Sequence, residues 1–368
     1  MSQADSKPPG GIHVLHVLPF DQARGAQRYA RSLVTHLGGG PDRHSIVTLF
    51  KGGSGVLEAD FRLEVPRGWM RRAGLDIRVV RRLRRLLREM GPDLMLAHGG
   101  ESAKYAAMAM PRQMPLIYLK IGSEHPKLSR FASSMMHRMY TRRSDVIVAV
   151  SEGLAAEIQE REGLEPGRVE VIPNGRDPDQ YRPSDHPRRP GPARLLWVGQ
   201  LDATKRPDLF VDLVSRLNEA GVGVEASIVG DGPKREEIRA HAQAAGVALL
   251  GTRGDVPALL ADSDVLVFTG EPPEGMPGVF IEAGLCGLPV VTTRVPGAED
   301  VVEHGVTGLI VDVGDLAGLE EAVSRLVGDR EALASMGDSA RLRCLERFSL
   351  DVTASRWNAL FARLLATE

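Results

Sequence analysis

Short, almost wholly apolar runs alternate with longer helix-period segments along the whole chain, and few folds accommodate that order. IHVLHVLPF (from Ile12), HSIVTLF (from His44), DLMLAH (from Asp93), PLIYLKIG (from Pro115) and DVIVAVS (from Asp145) read as strands, with helical segments such as Gln27–Leu37 and Leu75–Met90 between them. A Pro/Arg-rich stretch, YRPSDHPRRPGPA from Tyr181, interrupts the series, which restarts with RLLWVG, VEASIVG, ALLG, DVLVF, PVVTT and LIVDV. A strand that is apolar on both faces must be covered on both, the condition met by a parallel sheet flanked by helices. The expectation is an α/β protein of two Rossmann-like domains facing one another across a cleft. Its expected parts are a disordered leader over 1–10, an N-terminal domain over 11–180, a linker over 181–192, a C-terminal domain over 193–349 and a closing helix within 350–368. That helix carries Trp357, Leu360, Phe361 and Leu364 on one stripe.

Composition narrows the function classes. The 368 residues are enough for two or three domains with proper cores. With 46 basic and 48 acidic residues the net charge is −2, which removes a global electrostatic case for nucleic acid. No apolar run reaches the roughly 18–20 residues of a membrane span. MSQADSKPPGG lacks the charged-then-apolar order of a signal peptide, so a cytoplasmic location is expected. Two lone cysteines, Cys286 and Cys344, make neither a disulfide framework nor a thiolate metal site. Asp262-Ser263-Asp264 has the acid–x–acid spacing of a divalent-cation site, but Asp264 leads straight into the strand DVLVF and reads as a strand start. Asp177-Pro178-Asp179 reads as turn chemistry. No metal is expected.

Ligands of doubly wound sheets bind beyond the carboxyl ends of the strands. The residues there are Phe20–Gln27, His98–Gly100, Lys120–Ser123, Ser151, Gln200–Arg206, Gly230–Pro233, Arg253–Val256 and Thr269–Val279. The most informative segment is EGMPGVFIEAGLCGLPVV, from Glu274, in which a Gly/Pro loop leads into a helix from about Gly278 that stops at Gly287. Backbone N–H groups near Gly275, Met276, Gly278 and Val279 would make an anion site at that helix start. Glu274 and Glu282, eight positions apart, are separated by at most about 12 Å if wholly helical. A retaining glycosidase needs its carboxyls roughly 5–5.5 Å apart. The spacing instead suits the reading of two ends of an elongated ligand with a phosphate between them. An amphipathic helix with one solvated Glu282 is the competing explanation.

Glu274 and Glu282, with seven residues between, resemble the paired-glutamate motif of the family-four retaining glycosyltransferases of the GT-B fold. IPNG (Ile172–Gly175), WVGQLDATKR (Trp197–Arg206), VGDGPKREEI (Val229–Ile238) and GLPVVTTRVPGAEDVVEHGVTGLIV (Gly287–Val311) resemble family segments in family order, and RGAQRYARSLVTHL (from Arg24) resembles the Gly-rich loop and first helix. The likeness is strong in the second half and weak between Phe50 and Asp145. It implies retaining transfer from a nucleotide-diphosphate sugar, UDP-, GDP- or dTDP-linked, with no other cofactor. Glu282 would accept hydrogen bonds from the ribose hydroxyls, and Glu274 would lie by the transferred sugar. The amides from Gly275 to Val279 would hold sugar and distal phosphate, Lys205 would stabilise the leaving diphosphate with Arg206 beside it, and Arg253 and Asp255 would lie along the base. Gly25 would let the backbone approach the donor, and His98 matches a histidine common in relatives. The closing helix would cross back to the first domain, and closure would bring Gly25 and His98 towards Glu274.

Two departures from the family stand out. Gln200 occupies the place of a usual arginine, and Lys120-Ile121-Gly122-Ser123 replaces a segment where many relatives carry a histidine. Lys120 or His125 would then line the acceptor pocket without an assigned proton-transfer role. A solvated helix start remains open for Lys205 and Arg206, and a structural histidine for His98. The arginines at 78, 81, 82, 84, 85 and 88 lie opposite Leu75, Val79, Leu83, Leu86 and Met90. Such a helix can rest on an anionic membrane, but packing against the sheet is preferred. Met135, Met136 and Met139 read as core filling or pocket wall. The favoured function is transfer to a small-molecule, natural-product acceptor. The alternatives are a membrane-surface transferase making an envelope glycolipid and a sugar-nucleotide-binding subunit without turnover.

Overall fold

Parallel pairing dictates the architecture, because every strand described pairs with its neighbours in the same direction. The computed structural model describes residues 11–21, 25–52, 58–66, 75–122, 131–165, 167–185, 191–272 and 276–366. The chain divides into two units, one of residues 1–174 with 350–368 and one of residues 175–349. The division falls between Asn174 and Gly175, ahead of the 181–192 stretch marked out by composition.

In chain order the first unit comprises β1 (His13–Phe20), α1 (Gly25–Leu37), β2 (Arg43–Phe50), β3 (Phe61–Val65), α2 (Ile77–Met90), β4 (Leu94–His98), α3 (Gly100–Ala109), β5 (Leu116–Lys120), α4 (Phe131–Arg143), β6 (Val146–Ala149), α5 (Glu152–Glu162) and β7 (Val169–Val171). The second comprises β8 (Ala193–Val198), α6 (Pro207–Glu219), β9 (Val224–Val229), α7 (Arg235–Ala244), β10 (Val247–Gly251), α8 (Val256–Ala261), β11 (Val265–Phe268), α9 (Gly278–Leu285), β12 (Val290–Thr293), α10 (Ala298–Val301), β13 (Gly308–Val311), α11 (Leu316–Gly328) and α12 (Arg330–Phe348). The last helix, α13 (Leu350–Leu365), belongs to the first unit.

The sheet orders are β3-β2-β1-β4-β5-β6-β7 and β10-β9-β8-β11-β12-β13. Both contain the doubly wound order in which the chain reverses direction across the sheet after its third strand. The reversal opens a crevice between β1 and β4 in one unit and between β8 and β11 in the other. The apolar runs read from sequence are the central strands together with β10 and β13 at the edges of the second sheet, and β4, β5, β6, β11 and β12 are buried along their whole length. Two strands lack that signature. In β3 buried and exposed positions alternate, in β7 the strand is three residues long, and each sits at an edge of its sheet. An edge strand with one wet face need not carry a continuous apolar run.

Helix α2 carries its apolar side inwards, burying Val79, Val80, Leu83, Leu86 and Leu87. Asp76 caps it, accepting from the Arg78 amide at 3.0 Å, and Gly91 closes it in the left-handed region at φ 57°. The arginine face is tied to the protein as well: Arg78 pairs with Asp76 at 2.6 Å, Arg82 donates to the Leu63 carbonyl and Arg84 donates to that of Met108 at 2.7 Å. Met135 (65% exposed) and Met139 (37% exposed) face solvent, so the core-filling expectation does not hold for them. A helix-spaced methionine signal cannot distinguish the inner face of α4 from its outer one. The Asp262-Ser263-Asp264 triplet is structural: Asp264, 1% exposed, accepts from the Arg194 amide at 2.8 Å, and the same arginine pairs with Asp262 at 2.7 Å. No helix among the described residues is long and apolar enough to cross a membrane.

The second core gathers Trp197, Phe210, Leu213, Leu217, Ile228 and Val267 between its sheet and α6, α7 and α11. In the first unit the returning α13 lies against α1. Trp357 is fully buried and its indole N–H donates to the Tyr29 hydroxyl at 2.9 Å, while Phe361 stacks on it at 5.7 Å. Trp357→Ala removes that ring and leaves the Tyr29 hydroxyl without its donor. The expected loss is about 3–5 kcal/mol of unfolding free energy, measured as a drop in the urea midpoint; an unaltered midpoint would show that α13 contributes nothing to the first unit.

Candidate functional site

In the second unit the site is built at the crevice between β8 and β11. The turn after β8 is held by Asp202, whose carboxylate accepts from the Thr204 and Lys205 amides at 3.1 and 3.0 Å. That turn lays the Lys205 ammonium over the Phe268 ring, 5.1 Å from its centroid, at the end of β11. A cation over a ring face gains about 0.5–1 kcal/mol at a partly exposed site. Phe268 meets Phe280 of α9 edge-on at 5.2 Å, so one aromatic pair links the lysine to the helix that follows the crevice. Thr269 fastens the two strand ends together: it accepts from the Trp197 indole at 3.1 Å and donates to the Arg206 carbonyl at 2.6 Å. Gly230 has to be glycine, since a Cβ there would come within 1.8 Å of the Gly199 carbonyl oxygen, and its φ is 137°.

Arg206 sits in the left-handed region at φ 50° and opens α6 just before Pro207. Its guanidinium lies between two carboxylates, 2.9 Å from Asp208 and 3.6 Å from Glu271, and Lys234 joins Asp208 at 3.4 Å. Burial opposes the Asp208 charge, but the Arg206 hydrogen bond and charge outweigh it and hold that carboxyl below its ordinary range. Arg206 is thus engaged within the protein by its two carboxylates. Arg253 and Asp255 pair with each other at 2.6 Å on the exposed loop after β10. The same hydrogen bond lowers the Asp255 pKa.

Helix α9 carries the remaining candidates. Met276 is buried, Gly278 and Val279 form the first turn, and Glu282 lies one turn further on; Glu274 and Gly275 lie outside the described residues. Arg176, which the motif reading passed over, donates from Nε to Glu282 Oε1 at 2.7 Å. Both side chains are nearly buried, at 14% and 15% exposure. Arg176 is held in place by its own amide, which donates to the Phe348 carbonyl at 3.0 Å. Its guanidinium passes over Gly278 so closely that a Cβ there would lie 2.0 Å from Nη2. A cation beside a helix N-terminus opposes the helix dipole, and Glu282 offsets it. The pair joins residues 106 apart, so no local spacing rule could have linked them. The cue in the sequence is only that an arginine immediately follows IPNG.

The first unit contributes Gly25 and His98. Gly25 is the exposed first residue of α1, with open space where a side chain would be. His98 ends β4 and is buried, and its Nε2 lies 3.1 Å from Nδ1 of His16 on β1. His16 Nε2 in turn lies 3.1 Å from Nδ1 of His44 on β2. Lys120 is buried at the end of β5, while Ser123 and His125 lie outside the described residues. Burial pushes the His98 pKa down to about 3 and that of His44 to about 4. For His16 burial is joined by repulsion from His98, His44 and His13. Two ring atoms, His98 Nδ1 and His44 Nε2, are buried with no hydrogen-bond partner among the described residues. A buried polar atom left this way costs about 1–3 kcal/mol. Cys286 and Cys344 have no such chemistry: burial raises both thiols to about 12, which keeps them protonated.

Comparison with known proteins bears on the family and the fold. The family model described as Glycosyltransferase Family 4 matches residues 23–180, and that described as Glycosyl transferases group 1 matches 192–329. The chain belongs to the family-four glycosyltransferases and has the GT-B fold. An exopolysaccharide phosphotransferase of Streptomyces coelicolor is 26% identical over 290 residues, covering 77% of this chain and 30% of its own. The chain therefore spans less than a third of that relative's length. A GDP-mannose-dependent α-(1-6)-phosphatidylinositol monomannoside mannosyltransferase of Mycobacterium tuberculosis is 28% identical over 308 residues, 77% of each protein. Among solved structures, the Anabaena protein HepE in complex with UDP superposes with a TM-score of 0.80 at 20% identity, covering 96% of this chain and 100% of that one.

Two outcomes test the site's electrostatics. Arg176→Leu leaves Glu282 without its cation in a nearly closed position, and the urea-derived stability should fall by about 1–3 kcal/mol; no loss would mean that solvent already satisfies Glu282. The histidine chain fixes the sign of a pH effect. Its folded pKa values lie below the unfolded value near 6.5, so in that window the unfolded chain binds more protons. Stability is fully present above about pH 6.5 and is lost as pH falls towards the folded values, at about 1.4 kcal/mol per unit of pKa difference. Urea midpoints taken from about pH 7 down to about pH 4.5 should fall, and less steeply in His98→Asn. Parallel slopes for the two proteins would remove His98 as a source.

Proposed function

We propose that the chain transfers a sugar from a nucleotide-diphosphate sugar to an acceptor hydroxyl with retention of anomeric configuration and without a metal. The observation that carries this reading is the placement of the Lys205 ammonium over Phe268 at the crevice of the second unit, one aromatic pair from the helix bearing Glu282. The GDP-mannose dependence of the mycobacterial relative and the UDP in the Anabaena structure support a nucleoside-diphosphate donor.

In this reading Glu282 accepts from the ribose hydroxyls while Arg176 steadies its Oε1 edge. The amides of Gly278 and Val279 meet the distal phosphate, and Lys205 balances the charge that grows on the leaving diphosphate as the glycosidic C–O bond breaks. The acceptor oxygen bonds to the anomeric carbon on the face the diphosphate leaves, and its proton passes to the departing phosphate. No side-chain base is then required, which accommodates the sequence Lys120-Ile121-Gly122-Ser123. Arg206, bound by Asp208 and Glu271, organises the turn and is not a second phosphate ligand. The acceptor is a water-soluble small molecule. This choice rests on α2, whose apolar side is spent on the core and three of whose arginines are bound within the protein, leaving little of an amphipathic face for a lipid surface.

The test measures nucleotide binding and turnover separately, with EDTA present, across UDP-, GDP- and dTDP-sugars. Glu282→Ala should weaken nucleoside-diphosphate binding by about 1.5–3 kcal/mol, the worth of a charged hydrogen bond. Lys205→Ala should lower kcat by about 100-fold or more while changing donor affinity less. Equal donor affinity and equal rate in both variants would remove the site assignment, and inversion at the anomeric carbon of the product would remove retention.

A further inference from the structure

Lys205 lies on a loop, but its backbone is held by Thr269, 64 positions later and just past the end of β11. Thr269 Oγ1 donates to the Arg206 carbonyl at 2.6 Å and lies 3.2 Å from that of Lys205. The Glu271 amide donates to the Thr204 carbonyl at 2.9 Å. All three carbonyls from Thr204 to Arg206 thus face residues 269 and 271. On the amide side, Asp202 holds Thr204 and Lys205. Gly270 admits no side chain here, because a Cβ would lie 2.5 Å from Phe268 Cε1 and 3.3 Å from the Thr204 carbonyl oxygen.

A threonine hydroxyl has one hydrogen and two lone pairs. At Thr269, itself buried, the hydrogen serves the carbonyls of Arg206 and Lys205. A lone pair accepts from the indole N–H of the fully buried Trp197 at 3.1 Å. Turning the hydroxyl elsewhere would leave a buried group unpaired, so its direction is fixed. Phe268, the residue before Thr269, carries the Lys205 ammonium over its ring, 5.1 Å from the centroid. Two adjacent residues therefore hold the lysine at both ends, Thr269 at the backbone and Phe268 at the charge. A strand end is a more precise support for a reacting group than a loop.

We propose that Thr269 is the positioning residue of Lys205, setting where the ammonium stands against the leaving diphosphate. The assignment rests on the glycosyl-transfer reading above. The Thr269 hydroxyl is spent within the protein, so its effect on the reaction passes through Lys205 and falls on turnover more than on donor binding.

Proton–carbon correlation on the full-length protein, labelled with carbon-13 at lysine, reads the Lys205 ε-methylene, whose proton shift is displaced by the ring beneath it; Lys205→Arg identifies the signal. Thr269→Val removes the hydroxyl at nearly constant shape and should move that signal towards those of solvated lysines. The same variant should lower kcat by about 10-fold, as a small misplacement of a reacting group does, with the donor KM changing by less than about 2-fold. Thr269→Ser renews the hydroxyl and should restore both signal and rate. Thr269→Ala removes the hydroxyl without setting a second methyl beside the indole, and replaces valine if that variant does not fold. In a Lys205→Ala background, loss of the Thr269 hydroxyl should cost no further rate, because the group it positions is gone. An unmoved Lys205 signal in a folded variant, or the same loss of rate with and without Lys205, would overturn the positioning role. A wild type that neither binds UDP, GDP or dTDP nor transfers from their sugars counts against the glycosyl-transfer reading; the Lys205 signal then decides by itself whether Thr269 holds the lysine.

Discussion

All-parallel pairing is the constraint on which both units depend. It sends every strand of a sheet out through one edge, so the loops that leave that edge collect side chains from distant parts of the sequence. Reversal of the strand order then parts two neighbouring loops, at β1 and β4 in the first unit and at β8 and β11 in the second. Lys205, Thr269 and the Phe268–Phe280 pair gather at the second of these gaps. His98 ends β4 beside the first and meets His16 from within β1. Neither group has to be near in sequence.

That same constraint explains how much was legible beforehand. A central parallel strand must be apolar on both faces, so β1, β2, β4, β5, β6, β8, β9, β11 and β12 announce themselves as runs, the edge strands β10 and β13 carry short runs as well, and Gly287 and Pro289 mark where α9 has to end. The edge strands β3 and β7 are wet on one face and carry no comparable run. Site residues divide in a similar way. Lys205 and Glu282 stand out because each lies in a segment, WVGQLDATKR or EGMPGVFIEAGL, that resembles a family motif. Arg176 does not, because its meaning is a contact with Glu282 made over 106 positions. The histidine chain is hidden for another reason: His16 and His44 lie inside strand runs, and they meet only as diagonal neighbours, His16 being opposite Ile46 and Leu96 and His44 opposite Val14.

Charge in the second unit is assigned with little redundancy. Arg206 is bracketed by Asp208 and Glu271, Arg253 by Asp255, and Arg194 by Asp262 and Asp264. These pairs fasten loops at strand ends and hold them in register with one another. The Lys205 ammonium rests on a hydrocarbon ring, and the Arg176 guanidinium, paired with Glu282, passes over a glycine that opens a helix. The site is therefore distinguished by where its cations are held and not by how many there are.

The return of α13 to the first unit has a consequence for synthesis. Tyr29 waits for the indole of Trp357, a partner 328 residues later in the chain. On a ribosome the whole of residues 175–349 emerges before that partner does. The second unit can thus close its core while the first still lacks a helix, so the part of the protein made first is the part completed last.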